Sequence, residues 1–306
     1  MSTFGAQQIR FRCAIAAVNF SHNIRIYSQD TSGGIREVAC DNGNWSDGSE
    51  REVISYGILG SPIAAICKNM IHIFYIGEGN MVKEICRDAH GRWHEGELNR
   101  LKIQVAQYSM LCACPLAGTN NQMRLYVQMV DNNIQEYGCD NEKGGWSKMA
   151  SKMAGIGRAL PGTGMACTSK KDREMCIRLF CQDDQMNIIE NCCRDGKRWG
   201  AGKLSIEKAL PRTDLTATSC SESEVRLYYI DRDNRIKEMA CSSDRWGHGQ
   251  FDQPCVSGSQ VAAVSWGNER DCNIRVYFQC GQYVTAISEW TYNRKWEEGK
   301  TALPPA

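Results

Sequence analysis

Prolines are few in these 306 residues (seven), histidines are fewer (five), and charge of one sign is not in excess, with 36 lysines and arginines against 35 aspartates and glutamates. A net charge of +1 leaves no basic footprint for a nucleic acid. No apolar run reaches the length of a membrane-spanning helix, so neither nucleic acid nor membrane insertion is expected. No segment holds a sustained 3.6-residue apolar period, which speaks against helices. The histidines are scattered without a ligand pair. The cysteines lack the paired CxxC or Cys/His spacing of a tetrahedral zinc site; Cys112-Ala113-Cys114 and Cys192-Cys193 do not supply it. No metal and no cofactor are expected. Met1 to Arg12 lacks a basic-then-apolar leader, and the apolar stretch Cys13 to Val18 is too short for one. That points to cytoplasmic residence or to export without a signal peptide, a spore or cell surface included.

Cysteine and glycine are abundant, at 17 and 28. An odd cysteine count leaves at least one thiol unpaired in a monomer. Cys40, Cys139, Cys193 and Cys241 recur at one repeat position, with Cys86 one place off, and Cys13, Cys67, Cys112, Cys167 and Cys220 recur at another. Positions equivalent by repeat lie about a blade apart, mostly too far for a disulfide. Most of these residues therefore read as free, small and buried.

The repeat itself is the main signal. A strand carrying an arginine is followed about a dozen residues later by a strand carrying a glutamate. The pairs are Arg25 with Glu37, Arg124 with Glu136, Arg178 with Glu190, Arg226 with Glu238 and Arg275 with Glu289, while the second copy has His72 with Glu84. The period of 47 to 54 residues is that of propeller blades. Each copy opens on a small-residue strand, such as Ala14-Ile15-Ala16-Ala17-Val18 or Val261-Ala262-Ala263-Val264, suited to a crowded axis. The alternating arginine strand, a polar turn and the glutamate strand follow. A tryptophan (Trp45, Trp93, Trp146, Trp199, Trp246, Trp296) then opens a short outer strand. The expectation is an all-β, six-bladed β-propeller with four antiparallel strands per blade, occupying 1–306 as one domain. Its blades fall near 10–50, 51–100, 101–150, 151–200, 201–250 and 251–300, and Gln7 to Phe11 meets Ala302 to Ala306 to close the ring.

One Arg/Glu pair on adjacent strands is ordinarily an ion pair worth a few tenths of a kcal/mol. A sheet has no need of the same pair in every blade. An arginine is a rigid fork of donors and a glutamate an acceptor, so together they can hold two neighbouring sugar hydroxyls. The tryptophan adds an apolar wall, with an indole N–H to spare.

Several strings carry a resemblance to a known family: Gly5-Ala6-Gln7-Gln8, Leu59-Gly60-Ser61-Pro62, Ala159-Leu160-Pro161-Gly162-Thr163-Gly164, Ala286-Ile287-Ser288-Glu289-Trp290 and the terminal Ala302-Leu303-Pro304-Pro305-Ala306. Over essentially its whole length the chain is similar to the fungal fucose-specific lectins of the Aleuria type, those of Aspergillus moulds above all. The resemblance implies a six-bladed propeller, often a homodimer, that binds fucosylated glycans and glycoproteins between neighbouring blades. Arginine and glutamate come from one blade there and tryptophan from the next. Carried over by motif, Arg25 and Glu37 go with Trp93, His72 and Glu84 with Trp146, and Arg124 and Glu136 with Trp199. Arg178 and Glu190 go with Trp246, Arg226 and Glu238 with Trp296, and Arg275 and Glu289 with Trp45. This sequence departs from the pattern at His72, so the second site is expected to bind weakly or not at all. Where the family carries Tyr or Trp three residues after the glutamate, this chain has cysteine in four blades, Arg87 in the second and Tyr292 in the sixth.

Two other functions compete with a lectin. A sialidase-like propeller glycosidase needs two placed carboxylates around one central site and Asp-box turns, which are not found. Glutamates paired with arginine stay ionised and make poor general acids. A WD-type interaction scaffold would end its repeats in Trp-Asp; these tryptophans precede Ser, His, Ser, Gly, Gly and Glu.

Overall fold

The structure, a computed structural model, describes residues 9–20, 23–46, 53–140, 145–149, 158–171, 174–194, 198–220, 224–268, 271–281, 285–299 and 302–305. Gly5 to Gln8 and Ala306, on which part of the sequence reading rests, lie outside them. Alternating apolar residues pair into six antiparallel sheets, each with its strands side by side in chain order. The first runs Ile15–Phe20, Asn23–Gln29, Gly34–Asp41 and Asn44–Trp45. The other five open on Ile63–Cys67, Leu111–Pro115, Ala166–Lys171, Leu215–Thr218 and Val261–Trp266. These inner strands touch their neighbours around a closed ring, the first against the last. This is a six-bladed β-propeller with four antiparallel strands per blade. One boundary moves: Ser55–Tyr56, expected in the second blade, pairs with Gly34 and Ile35 on the first sheet.

Ala17, Ala65, Ala113, Ala217 and Ala263 from the inner strands line an axial cavity of about 630 Å³. Small side chains are what the axis requires, because six backbones converge there. Apolar clusters fill the wedges between sheets. The cluster between the third and fourth blades holds Cys112, Cys114, Cys167, Cys181 and Cys193 among its buried members. Fifteen of the 17 cysteines are free, and burial pushes the Cys13 and Cys181 thiols up to about 12. The exception to the free-thiol reading is a Cys220–Cys272 disulfide with a Cα–Cα distance of 5.7 Å. It joins the fifth and sixth blades through positions that are not repeat-equivalent, where neighbouring blade ends converge. Among the described residues there is no α-helix, only short 3-10 turns at Glu78–Asn80 and Glu97–Leu101, and no helix is long and apolar enough to cross a membrane.

Blades are pinned to each other by buried amides. Gln29 donates to the Ile58 carbonyl at 2.8 Å, and Gln128 to that of Leu160 at 3.0 Å. Gln279 performs the same task at ring closure, accepting from the Arg12 N–H at 2.7 Å. Ile9 and Leu303 belong to one apolar cluster. Each keeps to its own sheet, however, Ile9 bridging Asp30 and Leu303 bridging Ile287.

Asp214, half-buried where the fifth and sixth inner strands meet, accepts the Val261 N–H at 2.7 Å. Burial pushes its carboxyl up to about 7 against the opposing pull of the Val261 and Leu215 amides. A folded pKa above the unfolded one makes the folded state bind the extra proton. The associated stability is therefore complete below about pH 4 and is lost as pH rises through about 7. Asp214→Asn keeps the acceptor and removes the ionisation. Denaturant midpoints of the parent should fall relative to the variant between about pH 4 and about pH 7. Parallel curves would show that Asp214 titrates normally.

Candidate functional sites between the blades

Register explains why arginine and glutamate meet. In the first blade Arg25 lies opposite Ala39 and Tyr27 opposite Glu37, so arginine and glutamate are diagonal neighbours on one face. The other blades repeat this, Arg124 facing Gly138 and Tyr126 facing Glu136, for example. The guanidinium approaches the carboxylate at 3.6 Å for Arg25–Glu37, 3.3 Å for Arg124–Glu136 and 2.5 Å for Arg178–Glu190. The last two copies stand at 3.3 Å for Arg226–Glu238 and 3.6 Å for Arg275–Glu289. In the second blade His72 Nδ1 lies 2.9 Å from Glu84 Oε1.

The residue two places after the arginine escaped notice in the sequence. Tyr27, Tyr126, Tyr228 and Tyr277 donate their hydroxyls to Glu37, Glu136, Glu238 and Glu289 at 2.9–3.2 Å. Recurrence of Tyr at that place was the available signal; Phe74 and Phe180 interrupt it.

The tryptophan of the following blade packs against the residue two places after the arginine, or after His72 in the second blade. Trp93 packs edge-on against Tyr27, Trp146 against Phe74 and Trp199 against Tyr126; Trp246, Trp296 and Trp45 do the same against Phe180, Tyr228 and Tyr277. The indole N–H is not spare in three seams. Trp199, Trp246 and Trp45 donate to Glu136, Glu190 and Glu289 at 3.3, 3.1 and 3.3 Å. Each tryptophan also lies opposite the residue three places after its own blade's glutamate, as Trp199 does with Cys193. That residue therefore faces the preceding seam: Arg178 Nη1 lies 3.8 Å from Cys241 Sγ.

Backbone completes the carboxylate's surroundings. Strand register shifts beside Glu190 and Glu238, a bulge that turns successive N–H groups inward. Lys203 and Leu204 donate to Glu190 Oε2 at 2.8 and 3.1 Å, and Gln250 and Phe251 to Glu238 Oε2 at 2.9 and 3.1 Å. The chain comes so close that a Cβ on Gly202 would sit 2.3 Å from Glu190 Cγ, and one on Gly249 2.2 Å from Glu238 Oε2. A glycine three residues after tryptophan is what allows this approach in the fourth and fifth blades, whereas the third blade has Met149 at that place. Burial raises the Glu289 carboxyl, against the opposing pull of Arg275, Tyr277 and Trp45.

The six seams are not equivalent. Those at Glu136, Glu190 and Glu289 join guanidinium, carboxylate and indole, the one at Glu238 pairs guanidinium with carboxylate while Trp296 packs on Tyr228, and the one beside Arg178 and Glu190 opens into a cavity of about 880 Å³. At the first seam Arg87 intrudes, stacked on Trp93 at 5.8 Å and donating to both Glu37 oxygens at 3.2 Å. Arg25 reaches Asp41 there at 2.7 Å. Arg87→Ala should free the Glu37 lone pairs, and a ligand that hydrogen-bonds this carboxylate should then bind the seam about tenfold more tightly, the value of one charged hydrogen bond. An affinity unchanged or lowered in a chain with the other seams disabled would show that Arg87 does not compete. The second seam lacks a guanidinium altogether.

A closed ring whose junctions repeat a polar-and-aromatic cluster defines the class, a six-bladed β-propeller with a charged pair and an aromatic ring recurring at its seams. A sequence profile described as "Fungal fucose-specific lectin" matches residues 9–306, and the chain belongs to that family. The fucose-specific lectin of Aspergillus fumigatus is 39% identical over the full length of both chains, and that of Aspergillus oryzae is 36% identical with the same coverage. Among solved structures, SapL1 lectin in complex with α-methyl fucoside superposes with a TM-score of 0.88 at 38% identity, covering 99% of this chain and 100% of that one. The six-bladed Aleuria aurantia lectin gives 0.83 at 25% identity, with 97% of each chain covered. These relatives are named as lectins, and the chain's family is one of sugar-binding proteins, not of enzymes.

Proposed function

We propose that the protein is a multivalent lectin that takes terminal L-fucose of glycans at the seams between its blades. The observation that carries this is the convergence of guanidinium, carboxylate and indole from two adjacent blades at Glu136, Glu190 and Glu289. The Arg/Glu pair reads the arrangement of neighbouring hydroxyls, and the aromatic edge and the half-buried or buried cysteines face the sugar's apolar side. Each seam is shallow, and strength comes from engaging several branches of one glycoprotein at once. A homodimer would double the number of seams presented.

Calorimetric titration with methyl fucoside counts working seams directly. The expected stoichiometry is four per chain, from the seams at Glu136, Glu190, Glu238 and Glu289, with the Arg87-filled and His72-bearing seams silent. No saturable binding, or one equivalent per ring, would refute the reading.

A further inference from the structure

The second seam departs from the common plan uniquely at His72, since its Phe74 and Cys86 recur as Phe180 and Cys192 in the fourth blade. His72 stands in place of arginine, Phe74 in place of the tyrosine found in four blades, and Cys86 where the others have Ala39, Gly138, Cys192, Ala240 and Thr291. His72 lies directly opposite Cys86, and Phe74 opposite Glu84, so all three polar groups share one face. The imidazole Nδ1 is 2.9 Å from Glu84 Oε1 and 3.3 Å from Cys86 Sγ, and one ligand atom of each residue lies within 4.8 Å of the others. Glu84 is 1% exposed and Cys86 3%. A carboxylate this deep needs a compensating positive charge, which a permanent guanidinium supplies in the other five blades. Phenylalanine at 74 leaves Oε1 without the hydroxyl that Tyr126 or Tyr228 would give, while Leu98 N–H holds Oε2 at 2.9 Å.

We propose that His72, Glu84 and Cys86 form a binding site for a zinc-class divalent ion, which takes the place of the missing guanidinium. The donor set is one imidazole, one carboxylate oxygen and one thiolate, the mixture that suits zinc. Zinc–ligand lengths of about 2.0–2.3 Å at tetrahedral angles put ligand atoms about 3.3–3.6 Å apart; the two separations from His72 Nδ1, 2.9 and 3.3 Å, come within a few tenths of an ångström of that, and the Glu84 and Cys86 ligand atoms lie within 4.8 Å of each other. The His72 side chain is 13% exposed, which leaves the fourth position open to water from the seam.

The test uses the full-length protein, stripped with a chelator and titrated with Co(II) as a coloured stand-in for zinc. A thiolate-to-cobalt charge-transfer band with tetrahedral d–d bands should saturate at one ion per chain and bleach on adding Zn(II). Cys86→Ser should lose the charge-transfer band. His72→Arg, whose fold is safe because five blades carry arginine at that place, should weaken the metal by more than the about 100-fold that loss of an outer partner costs. Cys176→Ser, which alters a half-buried free thiol on the fourth blade, should leave the spectrum unchanged. Absence of the bands in the parent, their survival in either site variant, or their loss in Cys176→Ser would overturn the proposal.

Discussion

Glu190→Ala will cut the methyl fucoside stoichiometry from four to three and lower the unfolding free energy by about 3–5 kcal/mol, the cost of leaving one member of a buried ion pair alone. Arg178 and Glu190 side chains are 6% and 1% exposed, and their contact of 2.5 Å is the closest of the arginine–glutamate pairs. Removing the carboxylate strands more than the guanidinium. The N–H groups of Lys203 and Leu204 and the Trp246 indole all donate to Glu190 Oε2 and would lose their acceptor. Asp244 also meets Arg178, but at 38% exposure it is too solvated to replace a buried partner. Glu190→Gln keeps the shape and one acceptor, so it should recover part of the stability while still losing the sugar. Denaturant unfolding and calorimetry read the two effects separately. An unchanged stoichiometry in a folded Glu190→Ala chain would remove this seam from the binding account.

The opposite change is expected at the second seam. His72→Arg should raise the stoichiometry from four to five and abolish the proposed metal site in the same step. The backbone already has the required register, His72 opposite Cys86 and Phe74 opposite Glu84, as Arg178 is opposite Cys192 and Phe180 opposite Glu190. Glu84 is held in place by Leu98, and Trp146 stands edge-on to Phe74 at 5.5 Å. Only the fork of donors is missing. The fourth seam has phenylalanine at the same place, so absence of the tyrosine hydroxyl is not a barrier. If the folded variant still binds four equivalents, the arginine is insufficient and the neighbouring Cys139 wall is implicated.

Much of this was legible in the sequence because it depends on short-range rules. Strand alternation has a period of two, so Arg25 and Tyr27 must share a face whatever the blade does later. A repeat near 50 residues, with Arg, Glu and Trp at constant offsets, therefore gave the propeller, the charged pair and, through the family resemblance, the cyclic pairing with the following blade. The Tyr126 hydroxyl and the close approach of Gly202 were written in the same register but carry no charge to draw attention.

The remainder was settled by ring geometry. Arg87 reaches Glu37 across 50 residues of chain, and Cys220 meets Cys272 across 52; neither contact joins repeat-equivalent positions, and both depend on how far adjacent blades splay. The cluster of His72, Glu84 and Cys86 needed the depth and direction of three side chains, which no ligand-spacing rule encodes. By itself the sequence determined the blades and the paired charges, because backbone periodicity places neighbours within a sheet. Tertiary structure alone decided which seams stay open, because that turns on side chains of one sheet entering the wedge beside another.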